Sequence, residues 1–336
     1  MKNLLKKNEF YVGITLIVMC LIIGLINPVF FTLANFVSLM RNGIIMGIMS
    51  FALMLGIIAG GIDVSFPAIA VCAMYLTSKL MESLAFEGPV IVPILMAVAI
   101  GTALGLLNGI IITQFNLPAF IVTLGTSSLF HGLLITLAGS KPVNRLCPSM
   151  ENFGKAQMIR VTSGSTTATC TYTFLFLVAI MIIVHVILKY TMLGRGIYAI
   201  GGDRVSAERA GFNVKGITIF VYTFIGMAAG LGGVCHAMQA RMCIPTDLMG
   251  SEMMCIAVVV LGGTSISGGK GTVIGTLLGL MLITVAQNSL ILVGITSIWQ
   301  ELVVGLIILA GVSLSAYKEL KNSRKIPKIL DDEMEV

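Results

Sequence analysis

Charge is scarce in this chain: 11% of its 336 residues are Asp, Glu, Lys or Arg, against 57% hydrophobic residues. So little charge cannot cover a water-soluble domain of this length, and a mean hydropathy of +1.01 excludes that class. Histidine is also sparse. His131, His185 and His236 fall in different apolar runs with no paired ligand spacing, so metal binding has no support. The cysteines form no CxxC motif, and Cys20, Cys72, Cys235 and Cys255 lie in or at the ends of apolar runs, where small buried thiols are ordinary packing residues. Cys147 and Cys170 share a long polar connection and are the pair able to bridge in an oxidising compartment. No nucleophile, metal or acid–base cluster is recognisable, which argues against an enzyme.

A phosphate loop is missing by a narrow margin. Walker A needs Gly, four residues, then Gly-Lys-Ser/Thr, so that backbone amides and Lys surround phosphates while the hydroxyl holds magnesium. Between residues 262 and 272 the chain offers Gly262, Gly263, Gly268, Gly269 and Lys270. Thr264, however, stands where the first Gly belongs, and Gly271 replaces the Ser/Thr. The segment reads as a tight turn linking two buried helices.

What the chain does have is long apolar runs. Spanning about 30 Å of hydrocarbon takes about 20 helical residues. A backbone in lipid must satisfy its own hydrogen bonds as helices or a closed barrel, and runs without strand alternation select helices. The expected fold is an all-α polytopic membrane protein, one transmembrane domain over 1–336. Ten spans are expected near 10–30, 43–60, 65–80, 89–113, 119–138, 172–190, 217–238, 252–261, 272–290 and 297–316. The third and eighth are short for full crossings and suit broken or tilted elements.

With a cytoplasmic amino terminus (1–9), the inner segments hold Lys2, Lys6, Lys7, Lys189, Arg195, Arg204, Arg209, Lys215, Lys270 and the five cations of a tail over 317–336. That is twice the number in the outer segments, which include a long periplasmic loop over 139–171. The first run is too long for a secretory h-region, and Asn27-Pro28-Val29-Phe30 offers no small-residue cleavage site, so it reads as a retained span. The pI near 9.0 is explained by cytoplasmic flanks facing anionic membrane lipid and does not imply nucleic acid.

Gly101, Gly105 and Gly109 recur every four residues, as do Gly271, Gly275 and Gly279, giving smooth stripes that permit close helix approach. The similar words Gly-Thr-Ala-Leu-Gly-Leu at 101 and Gly-Thr-Leu-Leu-Gly-Leu at 275 run in opposite directions and suit an inverted repeat. Thr123, Ser127 and His131 share one helix face, and Asn108, Gln287 and Asn288 add amides on the glycine-striped helices. Two readings stand: a lining for a polar solute path, or interhelical hydrogen bonds, which need the same residue types. Asp63, Glu252, Lys270 and Glu301 fall at or near span ends, where an interfacial charge is cheap. The polar connection 191–216 contains Ser206, Ala207, Glu208, Arg209 and Ala210, a helix-forming centre, followed by Gly211 able to end it. That pattern suits a docking element.

The words Gly60-Gly61-Ile62-Asp63-Val64-Ser65, Leu117 to Thr126, Ala199-Ile200-Gly201-Gly202-Asp203, Ala210-Gly211-Phe212-Asn213-Val214 and Val260 to Ser265 continuing to Thr272 run in order through most of the chain. In that order they resemble the permease subunits of bacterial ABC importers for simple sugars, a family that also includes autoinducer-2 and nucleoside permeases. The resemblance implies a subunit that performs no covalent chemistry and binds no cofactor itself, ATP and magnesium being held by partner ATPases. It implies a second permease copy or close relative, two cytoplasmic ATP-binding subunits, a periplasmic or lipid-tethered sugar-binding protein, and an inner-membrane location with both termini cytoplasmic. By position it carries a coupling helix over to Ser206–Gly211. Phe66-Pro67 departs from the family's usual Val-Gly, which bears on substrate identity. An ion-coupled secondary transporter of a small polar solute is the rival class; it predicts membrane-buried carboxylates facing a cavity.

Overall fold

Pro28 lacks an amide hydrogen to continue a helix, so α1 (Asn8–Ile26) stops short of residue 30. The Asn27 side chain accepts from Val29 N–H at 3.0 Å, opening a single 3-10 turn (Pro28–Phe31). Thr32 then accepts from Asn35 N–H and caps α2 (Leu33–Ile58). The helix thus begins well before residue 43, where the uninterrupted apolar run starts. Its first turns carry Ser38, Arg41 and Asn42, which hydropathy alone assigns to a connection.

The computed structural model describes residues 8–163 and 166–294, with Trp299, Leu302, Gly305, Leu306 and Leu309. After α2 come α3 (Phe66–Ser83), α4 (Ile91–Phe115) and α5 (Ala119–Leu133), which runs on through a π turn at Leu134–Ala138. A short helix α6 (Pro148–Lys155) and two antiparallel strands, β1 (Gln157–Ser163) and β2 (Thr166–Thr171), precede α7 (Thr173–Tyr190). The chain continues with α8 (Met192–Gly202), α9 (Arg204–Arg209), α10 (Val214–Ala240), α11 (Glu252–Leu261) and α12 (Val273–Leu292). Each of the first nine expected spans is a helix. The tenth, 297–316, lies outside the described residues except for the five scattered positions named above, which are helical. Six of the described helices are long and apolar enough to cross a membrane. The strands depart from an all-helical chain: Ile159, Val161, Thr162 and a Thr-rich partner segment supply the β-branched residues that favour an extended ladder.

The order long helix, shorter helix, glycine-bearing helix occurs twice, as α2–α3–α4 and as α10–α11–α12. Each long helix packs against the other set: α10 on α3 and α4, α2 on α11 and α12. The end of α2 and the start of α10 lie beside the same helix, α8, so the two long helices run oppositely, as an inverted repeat requires. The glycine stripes are the seams. A Cβ on Gly105 would stand 2.5 Å from the Tyr222 carbonyl oxygen of α10, and one on Gly262 would stand 2.5 Å from the Gly275 carbonyl oxygen. Gly275 and Gly279 lie on α12 against α11, while Gly271 falls in the turn ahead of α12 and is not part of the helical stripe.

At the end of the bundle away from α8, residues 139–163 and 166–171 lie over the helix ends. Strands β1 and β2 rest on α2, and α6 rests on α10. Val143 pairs with Cys243 in a backbone bridge, N···O 2.9 Å each way. Tyr75 O–H donates to the Lys141 carbonyl at 2.8 Å, and Lys79 donates to the Ala138 carbonyl. Cys147 and Cys170 are free buried thiols, so the bridge considered from sequence does not form. Cys147 precedes α6, with its Sγ 3.5 Å from Ser149 Oγ, whereas Cys170 is buried in β2 opposite Ile159.

Candidate functional site

A short helix, α9, lies where the docking element is expected, and its start is set by a residue outside the expected span. Asp203 accepts from Val205 N–H at 3.3 Å and Ser206 N–H at 3.0 Å, and its carboxylate also bonds the Ser206 hydroxyl. This is a complete N-cap, so α9 begins at Arg204 rather than Ser206. Those bonds favour the ionised carboxyl and hold the Asp203 pKa below the usual carboxylate value, the Ser206 side chain being the main cause. Gly211, at φ +86°, ends the element in the left-handed region. Ala207 is buried beneath it, while Ser206, Glu208, Arg209, Ala210 and Gly211 are exposed. Val205 is 55% exposed, so the short helix presents an apolar side chain among its charges.

Asp203 also closes the preceding helix, its N–H bonding the Ala199 carbonyl at 3.0 Å. Helices α8 and α9 therefore share one rigid corner. Gly201, next to that corner, lies against the Ile58 carbonyl at the end of α2, and a Cβ there would overlap that oxygen and stand 2.5 Å from Gly269 N. Gly269 N–H itself donates to the Ile58 carbonyl at 2.8 Å. Gly268, at φ +87°, and Gly60, at φ +82°, complete the crossing: a Cβ on Gly268 would stand 3.0 Å from the Cα atoms of both Gly60 and Gly201. Tyr198, one turn back on α8, donates to the Gly271 carbonyl at 2.7 Å. The turn glycines Gly60, Gly262, Gly268 and Gly269 thus serve backbone contact, and Gly263 turns the chain at φ +91°. Gly269, the glycine of the near-miss phosphate loop, already spends its amide on a protein carbonyl.

From Gly60 the chain enters a buried polar knot. Asp63 Oδ1 accepts from both Ser65 N–H and Ser65 O–H at 2.7 Å, and Asn108 Nδ2 donates to Ser65 Oγ at 2.7 Å. Thr123 Oγ1 accepts from Val64 N–H at 3.2 Å. Asp63, Ser65, Asn108 and Thr123 are all fully buried. Asp63 falls at a span end, as expected, but protein rather than water surrounds it: α3, α4, α5 and α10 enclose the α2–α3 turn, Ser65 satisfies Oδ1, and the buried Oδ2 has no partner among the described residues. Gly61 sits against the Tyr222 hydroxyl and Ala119, so no side chain fits there.

The six expected path residues separate. Asn108 and Thr123 belong to this knot; Ser127 and His131 continue half-buried along α5, with the buried His131 Nε2 unpartnered among the described residues. Gln287 and Asn288 lie near the far end of α12, where Asn42 Nδ2 donates to Asn288 Oδ1. Asn42 precedes Ile58 by more than four turns, which separates the two groups by roughly 24 Å. A cavity of about 670 Å³ between α1, α2, α7 and α12 is lined by residues such as Leu16, Phe36, Phe51, Leu177 and Leu280. None of the six path residues lines it, and its apolar wall offers almost nothing to a hydroxyl-rich solute.

Sequence reasoning overlooked Ser65, Asn42, Tyr198 and Tyr222. Ser65 and Asn42 carry no periodic signal, since each acts through a partner distant in sequence. Asp203 was legible in principle as an N-cap immediately before Arg204.

Among known proteins, the chain is 32% identical over 308 residues to the ribose import permease protein RbsC of Escherichia coli (strain K12), covering 91% of this chain and 93% of that one. It is 33% identical to the ribose import permease protein RbsC of Bacillus subtilis (strain 168), over 90% of this chain and 91% of the relative. To the D-allose transport system permease protein AlsC of Escherichia coli (strain K12) it is 30% identical, over 92% and 91%. No solved structure matches it. The family described as branched-chain amino acid transport system / permease component matches residues 35–312, and this polytopic membrane chain belongs to that permease family.

Proposed function

We propose that the chain is the membrane-spanning subunit of an ATP-driven importer for a simple sugar or sugar-like solute. The observation that carries this reading is similarity to ribose and allose permeases along nine-tenths of the chain, joined to an exposed, capped α9 at the position the resemblance gives to a coupling helix. The subunit moves solute by alternating access, and separate ATPase subunits supply the energy and hold ATP and magnesium. Its further partners are a second permease copy or paralogue and a periplasmic or lipid-tethered binding protein. The α9 end faces the cytoplasm, in keeping with the exposed cations Arg195, Arg204, Arg209, Lys215 and Lys270 there. The segment 139–171 then faces the binding protein.

The rival ion-coupled reading needs a buried carboxylate on a solute cavity. Asp63 is buried, with Oδ1 holding Ser65 at the α2–α3 turn and Oδ2 without a partner among the described residues, but it does not line the cavity of about 670 Å³. The test is co-purification in detergent with the ATPase and binding-protein subunits. The wild-type chain is expected to retain the ATPase, and Glu208→Lys combined with Arg209→Glu to weaken retention several-fold through misplaced charge. An ATPase that never co-purifies with the wild-type chain contradicts the reading.

A further inference from the structure

We infer that α8, acting through Tyr198 and Gly201, is the part that carries displacement of α9 into both halves of the permease at once. This rests on the coupling reading of α9 and adds to it the route inward. The observations are geometric. Asp203 is simultaneously the last bonded residue of α8 and the cap of α9, so the two helices cannot move separately without breaking its bonds. Only two residues before it, Gly201 lies in backbone contact with the Ile58 carbonyl, the end of α2, and with the Gly269 amide, in the turn that leads to α12. Gly269 N–H bonds that same carbonyl at 2.8 Å, so α2 and the α11–α12 turn are tied together under Gly201. Tyr198 supplies a second tie, O–H to the Gly271 carbonyl at 2.7 Å, two residues before α12 begins.

Backbone-to-backbone contact suits this task because it has no rotamer to yield. A push on α8 reaches α2 and α12 with no soft side chain between them. α2 belongs to the first of the two repeated helix sets and α12 to the second. From Ile58 the chain passes through Gly60 into the knot of Asp63, Ser65, Asn108 and Thr123, which binds α3, α4 and α5 to the same movement. Tyr198 and Gly201 are thus positioning residues. Their contacts are with the backbone of the two turns.

Hydrogen exchange on the assembled complex in lipid nanodiscs tests this, comparing the nucleotide-free state with the state trapped by ATP and vanadate. In the wild-type complex, trapping is expected to change amide protection in α9 and also at residues 58–61 and 268–272. Tyr198→Phe removes one hydrogen bond without altering shape, and is expected to leave the α9 response intact while reducing the response at both turns about threefold. Gly201→Ala is expected to abolish the turn responses, whereas Gly202→Ala, where a Cβ meets nothing within 4 Å, behaves as wild type. Should Gly201→Ala not fold, Tyr198→Phe decides alone. Unchanged turn responses in Tyr198→Phe, equal damage from Gly202→Ala, or a wild-type response confined to α9 each overturn the inference. A wild-type complex in which trapping leaves α9 itself unchanged overturns instead the coupling reading beneath it.

Discussion

Two aspartates show how the same side chain does different work at different depths. Asp63 is enclosed, and its value lies in the two Ser65 donors it satisfies. Replacing it with Ala leaves a buried N–H without a partner, at a cost of about 1–3 kcal/mol. Asp63→Ala is therefore expected to lower the thermal midpoint of the detergent-solubilised chain by several degrees, with Asp63→Asn, which keeps an acceptor, closer to wild type. A melting curve indistinguishable between Asp63→Ala and wild type would show the knot to be dispensable. Asp203 lies in water, and its bonds to Ser206 and the α9 amides hold its folded pKa below the unfolded value. A carboxyl with a depressed folded pKa gives its full stabilisation above the unfolded pKa, about 3.9 for Asp, and loses it as pH falls through the folded pKa. Amide protection factors in α9 should consequently be level near neutrality and decline only in the acid range. The decline should be absent in Asp203→Asn, whose side chain does not titrate.

Between helices, glycine decides the distance. The α4–α10 seam admits no added carbon: a Cβ on Gly105 meets both the Tyr222 carbonyl and the Gly226 backbone. Gly105→Ala is expected to destabilise by about 1–3 kcal/mol through overpacking. Gly13→Ala on α1, where nothing lies within 4 Å, serves as the contrast and is expected to stay within about 0.5 kcal/mol. Paired thermal melts check this, and equal behaviour of the two variants would remove the seam from the account. The glycine-bearing helices were readable from spacing because period-four repetition is a local signal, although that period wrongly extended the second stripe to Gly271, which precedes α12. The start of α2 was not, since Arg41 and Asn42 interrupt the apolar run while the backbone continues helical beneath strands that only the folded chain brings there. The crossing of Gly60, Gly201 and Gly269 was half readable. Gly60 and Gly269 stood out in their own turns, but Gly201 lies within α8 and carried no turn signal, and the meeting of the three depends on segments more than sixty residues apart. For the same reason the six polar candidates, chosen by residue type within apolar runs, separate into groups: Asn108, Thr123 and Asn288 bond partners from other segments, while the buried His131 Nε2 has none among the described residues.

At the level of the whole molecule, two oppositely running helix sets cross-pack through their long helices, and one exposed corner, α8–α9, touches both. That arrangement suits a passive conduit levered from one side. On the proposed reading, a chain with few buried charges among its described residues takes part in active transport because the energy comes from other subunits, with α9 as the proposed point of entry. The direct measurement is uptake of radiolabelled ribose and allose by proteoliposomes containing the chain, its ATPase subunits and its binding protein. The account predicts uptake of at least one of these sugars that requires both ATP and the binding protein and is indifferent to ionophores. Uptake by the chain alone, driven by a sodium or proton gradient, would contradict it.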